Sequence, residues 1–142
     1  MPTKKIIIEG MAIPKGRPRS VLKGKYVHTY TPKRTRDFEK LVKETYLAKY
    51  SLSDMIKKPY GVSINLHVHK QIPKGFTKKK TAEILNGNIQ LITKPDMDNV
   101  EKSIYDALNQ VAYEDDAQIC KCNWVKSYCS GASFTELEIE KI

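Results

Sequence analysis

The residues able to do chemistry in this chain are two pairs of carboxylates. Asp96 and Asp98 flank Met97 just ahead of an amphipathic stretch, and Asp115 and Asp116 follow that stretch. An Asp-x-Asp pair at a helix start puts two carboxylates close enough to share a hard cation through oxygen ligands. Lys102 lies one turn beyond Asp98, where an ammonium can offset negative charge developing on a phosphate. Each residue also has a plainer use. Asp98 with Glu101 three positions later fits a capping box, and one carboxylate oxygen can cap while the other ligates. Lys102 can pair with Asp98 or Asp106 at i,i+4, worth only about 0.2–0.5 kcal/mol. Spacing alone does not say whether Asp115 and Asp116 fold back to the helix start.

The charge distribution sharpens this reading. The 142 residues carry a net charge of +9, yet the 26 residues from Lys94 to Ile119 hold seven acids and two lysines. That segment is −5 and the remainder of the chain +14. A run of acids is ordinarily a solvated face. Set into a cationic surface, it is also what metal-dependent phosphodiester hydrolysis requires: cations collect phosphates, and acids hold the ion that activates water.

The elements that must position these residues follow from periodicity. Lys4–Glu9 is a β-branched strand ending at Gly10, and Pro14–Arg19 is an extended loop with two prolines. Lys25–Tyr30 alternates as a strand, with a hairpin turn through Lys23-Gly24. Thr31 as N-cap and Pro32 at the first helical position open a helix to about Tyr50. Residues 60–70 form a strand with Val62, Ile64, Leu66 and Val68 on one face and His67 and His69 on the other. A turn at Pro73–Phe76 leads to a short helix ending at Leu85. Residues 98–111 are the strongest helix, with Val100, Ile104, Ala107, Leu108 and Val111 as its buried stripe. Residues 117–128 and 133–140 read as closing strands. The mixture predicts a single α+β domain over 1–142, with helices packed on one mixed, curved sheet.

Two basic clusters accompany the acids. Seven cations fall between Arg17 and Arg36, with Tyr26, His28 and Tyr30 among them, and only Asp37 and Glu39 to balance them. Lys74, Lys78, Lys79 and Lys80 surround Phe76, which either stacks at an unpaired DNA centre or anchors its loop. Lys15, Arg17, Arg19, Lys33, Arg34, Lys74, Phe76, Lys78, Lys79 and Lys80 are the expected DNA contacts. Cys120, Cys122 and Cys129 lack a fourth ligand at finger spacing, and Cys120 and Cys122 share a strand face, so they read as buried, reduced thiols. His67 and His69 read as surface residues or DNA contacts. No apolar run reaches membrane length, and the N-terminal stretch is too short for a signal peptide, so a cytoplasmic protein with no membrane partner is expected.

The stretches Lys94-Pro95-Asp96-Met97-Asp98-Asn99-Val100-Glu101-Lys102, Tyr105–Asn109 and Tyr113-Glu114-Asp115-Asp116-Ala117-Gln118-Ile119 resemble the signature of the RusA family of Holliday-junction resolvases. Ile13–Arg19, Tyr30–Lys33 and Ile72–Lys74 extend the resemblance more loosely. It implies a small homodimeric, Mg²⁺-dependent endodeoxyribonuclease, often carried by phages and prophages, that makes paired symmetric incisions in four-way DNA junctions during recombination and repair. It implies Asp96, Asp98 and Asp116 as catalytic carboxylates and metal ligands, with Asp115 the runner-up, and Lys102 as the catalytic lysine. The residues alone leave two alternatives: a DNA-binding module without catalysis, and a nuclease acting on other branched nucleic acids.

Overall fold

The computed structural model describes residues 3–142. Alternation builds its main sheet. In β1 (Lys4–Glu9), Lys4, Ile6 and Ile8 turn inward while their neighbours are exposed. In β4 (Val62–Gln71), Val62, Ile64, Leu66 and Val68 are buried. In β6 (Phe134–Lys141), Thr135, Leu137 and Ile139 are buried. With β5 (Ile119–Cys129) these strands form a four-stranded sheet in the order β1-β6-β4-β5. Only β4 and β5 are parallel, and a parallel pair needs a long crossover. That crossover contains α2 (Lys78–Leu85) and α3 (Met97–Leu108), so the acidic segment lies between two neighbouring strands.

The inward side chains of the sheet join Phe38, Val42 and Tyr46 of α1 (Lys33–Leu47) and Val100, Ile104 and Leu108 of α3 in one core. The stripe expected on α3 is buried throughout, with Val111 contributing from just beyond the helix end. β2 (Arg19–Lys23) and β3 (Tyr26–Tyr30) form a separate two-stranded hairpin whose residues are all exposed. Gly24 takes φ 61 in its turn, a conformation glycine adopts without steric cost. The fold is α+β, as expected, with this hairpin standing apart from the main sheet.

Three local expectations are corrected. Helix α1 starts at Lys33 with Pro32 as its N-cap, and no side chain caps it, so Thr31 is not the cap. Helix α3 ends at Leu108, before Val111, because Asn109 turns to extended backbone and Gln110 takes a left-handed φ of 61. The third concerns the thiols, of which Cys120 is exposed and Cys122 half-buried. The pairing passes from Val62–Ile119 to Ser63–Lys121, leaving Cys120 as an unpaired bulge residue that breaks the strand's alternation.

Candidate active site

Asp96 and Asp98 meet at the start of α3. Asp96, not Asp98, is the N-cap: its backbone is extended, and its Oδ1 accepts the Asp98 N–H at 3.2 Å. Its Oδ2 accepts the Asn99 side-chain amide at 3.1 Å, so both oxygens are oriented. Glu101 does not close a capping box; its half-buried carboxylate accepts the Cys122 thiol at 3.8 Å. Burial, with the Asp98 charge behind it, pushes Glu101 above the ordinary carboxylate range. The Asp98 carboxylate is exposed and, among the described residues, has no hydrogen-bond or ion-pair partner. Lys102 is exposed one turn further along.

Lysines from two strands grip the loop that delivers Asp96. Lys126 on β5 donates to the carbonyls of Thr93 (2.6 Å) and Pro95 (3.2 Å). Lys70 on β4 donates to the carbonyl of Lys94 at 3.1 Å. No local sequence signal marks these two lysines, because each reaches a loop more than twenty residues away.

On the other side, the Ile13–Gly16 stretch clamps α3 to α1. The Lys15 N–H donates to the Asn99 carbonyl at 2.7 Å, and the Ser103 hydroxyl donates to the Ile13 carbonyl at 2.7 Å. Gly16 donates to Thr35 Oγ1 at 3.0 Å, and a Cβ there would lie 3.0 Å from Pro32 Cγ and 3.1 Å from that hydroxyl. The Lys15 ammonium sits 2.6 Å from Glu39 of α1 and 3.0 Å from Asp106 of α3. Burial works against that charge, but the two carboxylates outweigh it and hold the ammonium above its ordinary range. Lys15, expected on DNA, is therefore bound within the protein and ties two helices together.

Asp115 and Asp116 lie at the other end of α3. Asp115 caps a 3₁₀ turn over Asp116–Gln118, accepting the Ala117 N–H at 3.1 Å and donating its own N–H to Gln118 Oε1 at 2.9 Å. Buried Gln118 donates to the carbonyls of Ile56 and Tyr60, which fixes the turn against the core. The Asp116 N–H donates to Asn109 Oδ1 at 3.2 Å, beside the α3 C-terminus. Burial and the neighbouring Asp115 push the Asp116 carboxyl up, whereas the Ala117 N–H and Asp116 hold Asp115 down. Twelve residues of α3 span about 18 Å, which separates Asp116 from Asp96 and Asp98 within the chain. Negative charge at a helix C-terminus opposes the helix dipole, so Asp106 and Asp116 do not stand there to stabilise α3.

Cations follow in sequence the two segments that touch the start of α3 and the loop before it. Arg17 follows the clamp directly and leads into Arg19, Lys23 and Lys25 of the exposed hairpin. Lys33 is exposed but lies 3.2 Å from Asp37, and Arg34 is exposed. Lys74, Lys78, Lys79 and Lys80 are exposed after β4. Phe76 is half-buried, packs edge-on against Tyr128 near the end of β5, and carries Lys80 Nζ 3.9 Å over its ring. It anchors this loop beside the strand that holds Pro95. His67 and His69, expected as surface residues or DNA contacts, are half-buried and meet Glu136 on the sheet face away from the helices. No helix among the described residues is long and apolar enough to cross a membrane.

Comparison with known proteins bears on the family as a whole. YqaN of Bacillus subtilis (strain 168), an uncharacterized protein, is 31% identical over 126 residues, covering 87% of each chain. The family model described as endodeoxyribonuclease RusA matches residues 9–140, from the end of β1 almost to the end of β6. The span includes the helix clamp, both acid pairs and both cationic clusters, and the chain belongs to the RusA family of Holliday-junction endodeoxyribonucleases.

Proposed function

We propose that this endodeoxyribonuclease resolves four-way junctions as a symmetric homodimer with Mg²⁺, using Asp96, Asp98 and Asp116 as its carboxylates and Lys102 beside them. The observation that carries the reading is the unpartnered Asp98 carboxylate, held beside the oriented Asp96 carboxylate at the start of α3. The donor set suits the ion, since exposed carboxylate oxygens without nitrogen or sulfur ligands favour a hard cation. When bound, Mg²⁺ supplies positive charge at the scissile phosphate and lowers the pKa of water. Asp96 and Asp98 hold that ion, and the grip of Lys70 and Lys126 on residues 93–95 keeps the pair in place. Lys102 offsets the charge that accumulates on the phosphorane oxygens. Arg17, Arg19, Arg34 and the lysines after β4 hold flanking phosphates, which positions DNA without reading its sequence.

In this reading Asp116 serves the Asp96–Asp98 pair of the two-fold-related copy, which its position beside the far end of α3 supports. A closed dimer then holds two equivalent sites, matching paired incisions on symmetry-related strands in cytoplasmic recombination and repair. The deciding experiment incubates a synthetic four-way junction with wild type and with Asp98→Asn, with and without Mg²⁺, beside a linear duplex. Cleavage is expected only from wild type, only with metal and only of the junction, while the variant still binds it. Binding without cleavage under every condition would identify a DNA-binding module, and equal cutting of duplex would remove the junction selectivity.

A further inference from the structure

His67 and His69 are two residues apart on β4, so both imidazoles leave the same face, opposite the helix-packed core. Across the antiparallel pairing, Glu136 of β6 stands opposite His67, and Phe134 stands opposite His69. The imidazoles are stacked with centroids 3.8 Å apart, and Phe134 stacks on the other side of His69 at 4.1 Å. Glu136 Oε1 lies 2.5 Å from His69 Nε2, and Ser127 Oγ of β5 lies 2.7 Å from His67 Nε2. One ligand atom from each of His67, His69 and Glu136 lies within 4.8 Å of the others. Two adjacent strands thus bring two imidazole rings and a carboxylate within ligand reach of one another, with Ser127 of a third strand against His67. A cavity of about 220 Å³ opens beside them, lined by Asn65, Asn123 and Glu138 as well as His67 and Glu136.

We propose that His67, His69 and Glu136 form a second divalent-metal site, selective for a transition-metal ion of the Zn²⁺ type and distinct from the Asp96–Asp98 pair. Ligand chemistry separates the two: imidazole nitrogen suits Zn²⁺, Co²⁺ or Ni²⁺, whereas an all-oxygen carboxylate set suits Mg²⁺. Three protein ligands leave at least one position open toward the cavity, where water or a small anion completes the shell. Since Glu136 and the histidines come from different strands, a bound ion cross-links β4 to β6 in the middle of the sheet.

The test uses the full chain after chelator treatment, with Zn²⁺ titrated calorimetrically and Co²⁺ followed by its visible absorption. Wild type and Asp98→Asn are expected to bind one Zn²⁺ with equal affinity, to show Co²⁺ bands, and to gain thermal stability with Zn²⁺ in the presence of excess Mg²⁺. His69→Gln and Glu136→Gln are each expected to weaken binding at least tenfold. Absence of Zn²⁺ binding by wild type would overturn the proposal, as would unchanged affinity in both variants or loss of the site in Asp98→Asn. The wild-type and Asp98→Asn measurements decide the matter even if a histidine variant folds poorly.

Discussion

The Asp96 carboxylate accepts the backbone N–H of Asp98 at 3.2 Å, so one acid of the pair starts the helix and the other is left free on its first turn. The two carboxylates therefore carry different structural burdens, and their variants should part company. Asp98→Asn is expected to lower junction cleavage at least a hundredfold with no change in the urea midpoint. Asp96→Ala is expected to lose cleavage equally and also about 1 kcal/mol of stability, the usual cost of deleting a cap. Equal stability of the two variants would show that Asp96 does not cap α3 in solution.

Lys15 yields a prediction opposite in kind to the one its sequence context suggests. Its half-buried side chain holds the ammonium between Glu39 and Asp106, so Lys15→Met leaves two carboxylates facing each other without a cation. A loss of about 1–3 kcal/mol in denaturant unfolding is expected. Lys33→Met, which removes an exposed i,i+4 partner of Asp37, should cost less than about 0.5 kcal/mol. If Lys15→Met instead weakens junction binding and leaves stability intact, Lys15 contacts DNA.

What the sequence disclosed and what it concealed divide along the range of the interactions. The inward faces of residues 62–68 and of α3 were legible because burial repeats with the period of the element itself. The hairpin turn was legible because Lys23-Gly24 contains the residue that a positive φ favours. The acid pairs stood out by charge and motif. The ends of elements were not legible: a cap depends on one ψ angle, and either Asp96 or Asp98 could supply it. Nor did any local pattern show that Lys15 faces Glu39, that Lys126 faces Pro95, or that His69 faces Glu136, since each pair is separated by more than twenty residues. The bulge at Cys120 belongs to a register with β4 that neither strand encodes alone.

Glu101 gives a pH-dependent signature. Its carboxyl is raised by burial and then by Asp98, so the ionised form is the disfavoured one in the folded chain. A carboxyl raised on folding binds more protons in the native state, and its cost to stability is present above the raised pKa and vanishes below the unfolded value. Glu101→Gln should therefore raise the Tm of metal-free protein at pH 7–8, by roughly 1–3 °C because solvent screens much of the effect. The gain should shrink as pH falls into the ordinary carboxylate range. A gain that persists unchanged at pH 4 would assign it to packing and not to charge.

The β2–β3 hairpin is exposed along its whole length and contributes nothing to the core cluster, so its cations can be removed without touching the fold. Changing Arg19, Lys23 and Lys25 to Gln should leave the Tm unchanged. If each holds a phosphate, the slope of log affinity against log salt should become shallower by about 0.9 per residue, or roughly 2–3 in all. An unchanged slope would place the DNA elsewhere on the molecule.

The separation of Asp116 from Asp96 by the length of α3 makes the dimer reading testable without a structure of the complex. If each site takes Asp96 and Asp98 from one copy and Asp116 from the other, Asp96→Asn and Asp116→Asn homodimers are both dead. Their heterodimer, obtained by co-expression with distinct tags, differs. One of its sites contains both lesions, and the other contains none. It should regain single-site cleavage, nicking one strand of the junction under Mg²⁺ without resolving it. If each chain builds its site alone, every site in the heterodimer carries one lesion and no cleavage returns. A heterodimer of Asp96→Asn with Asp98→Asn controls for chance rescue, since under the shared-site arrangement both of its sites remain damaged. Nicking by the first heterodimer and not by the second is the expected outcome, and silence from both would return Asp116 to its own chain or to a structural role in the turn that Gln118 holds.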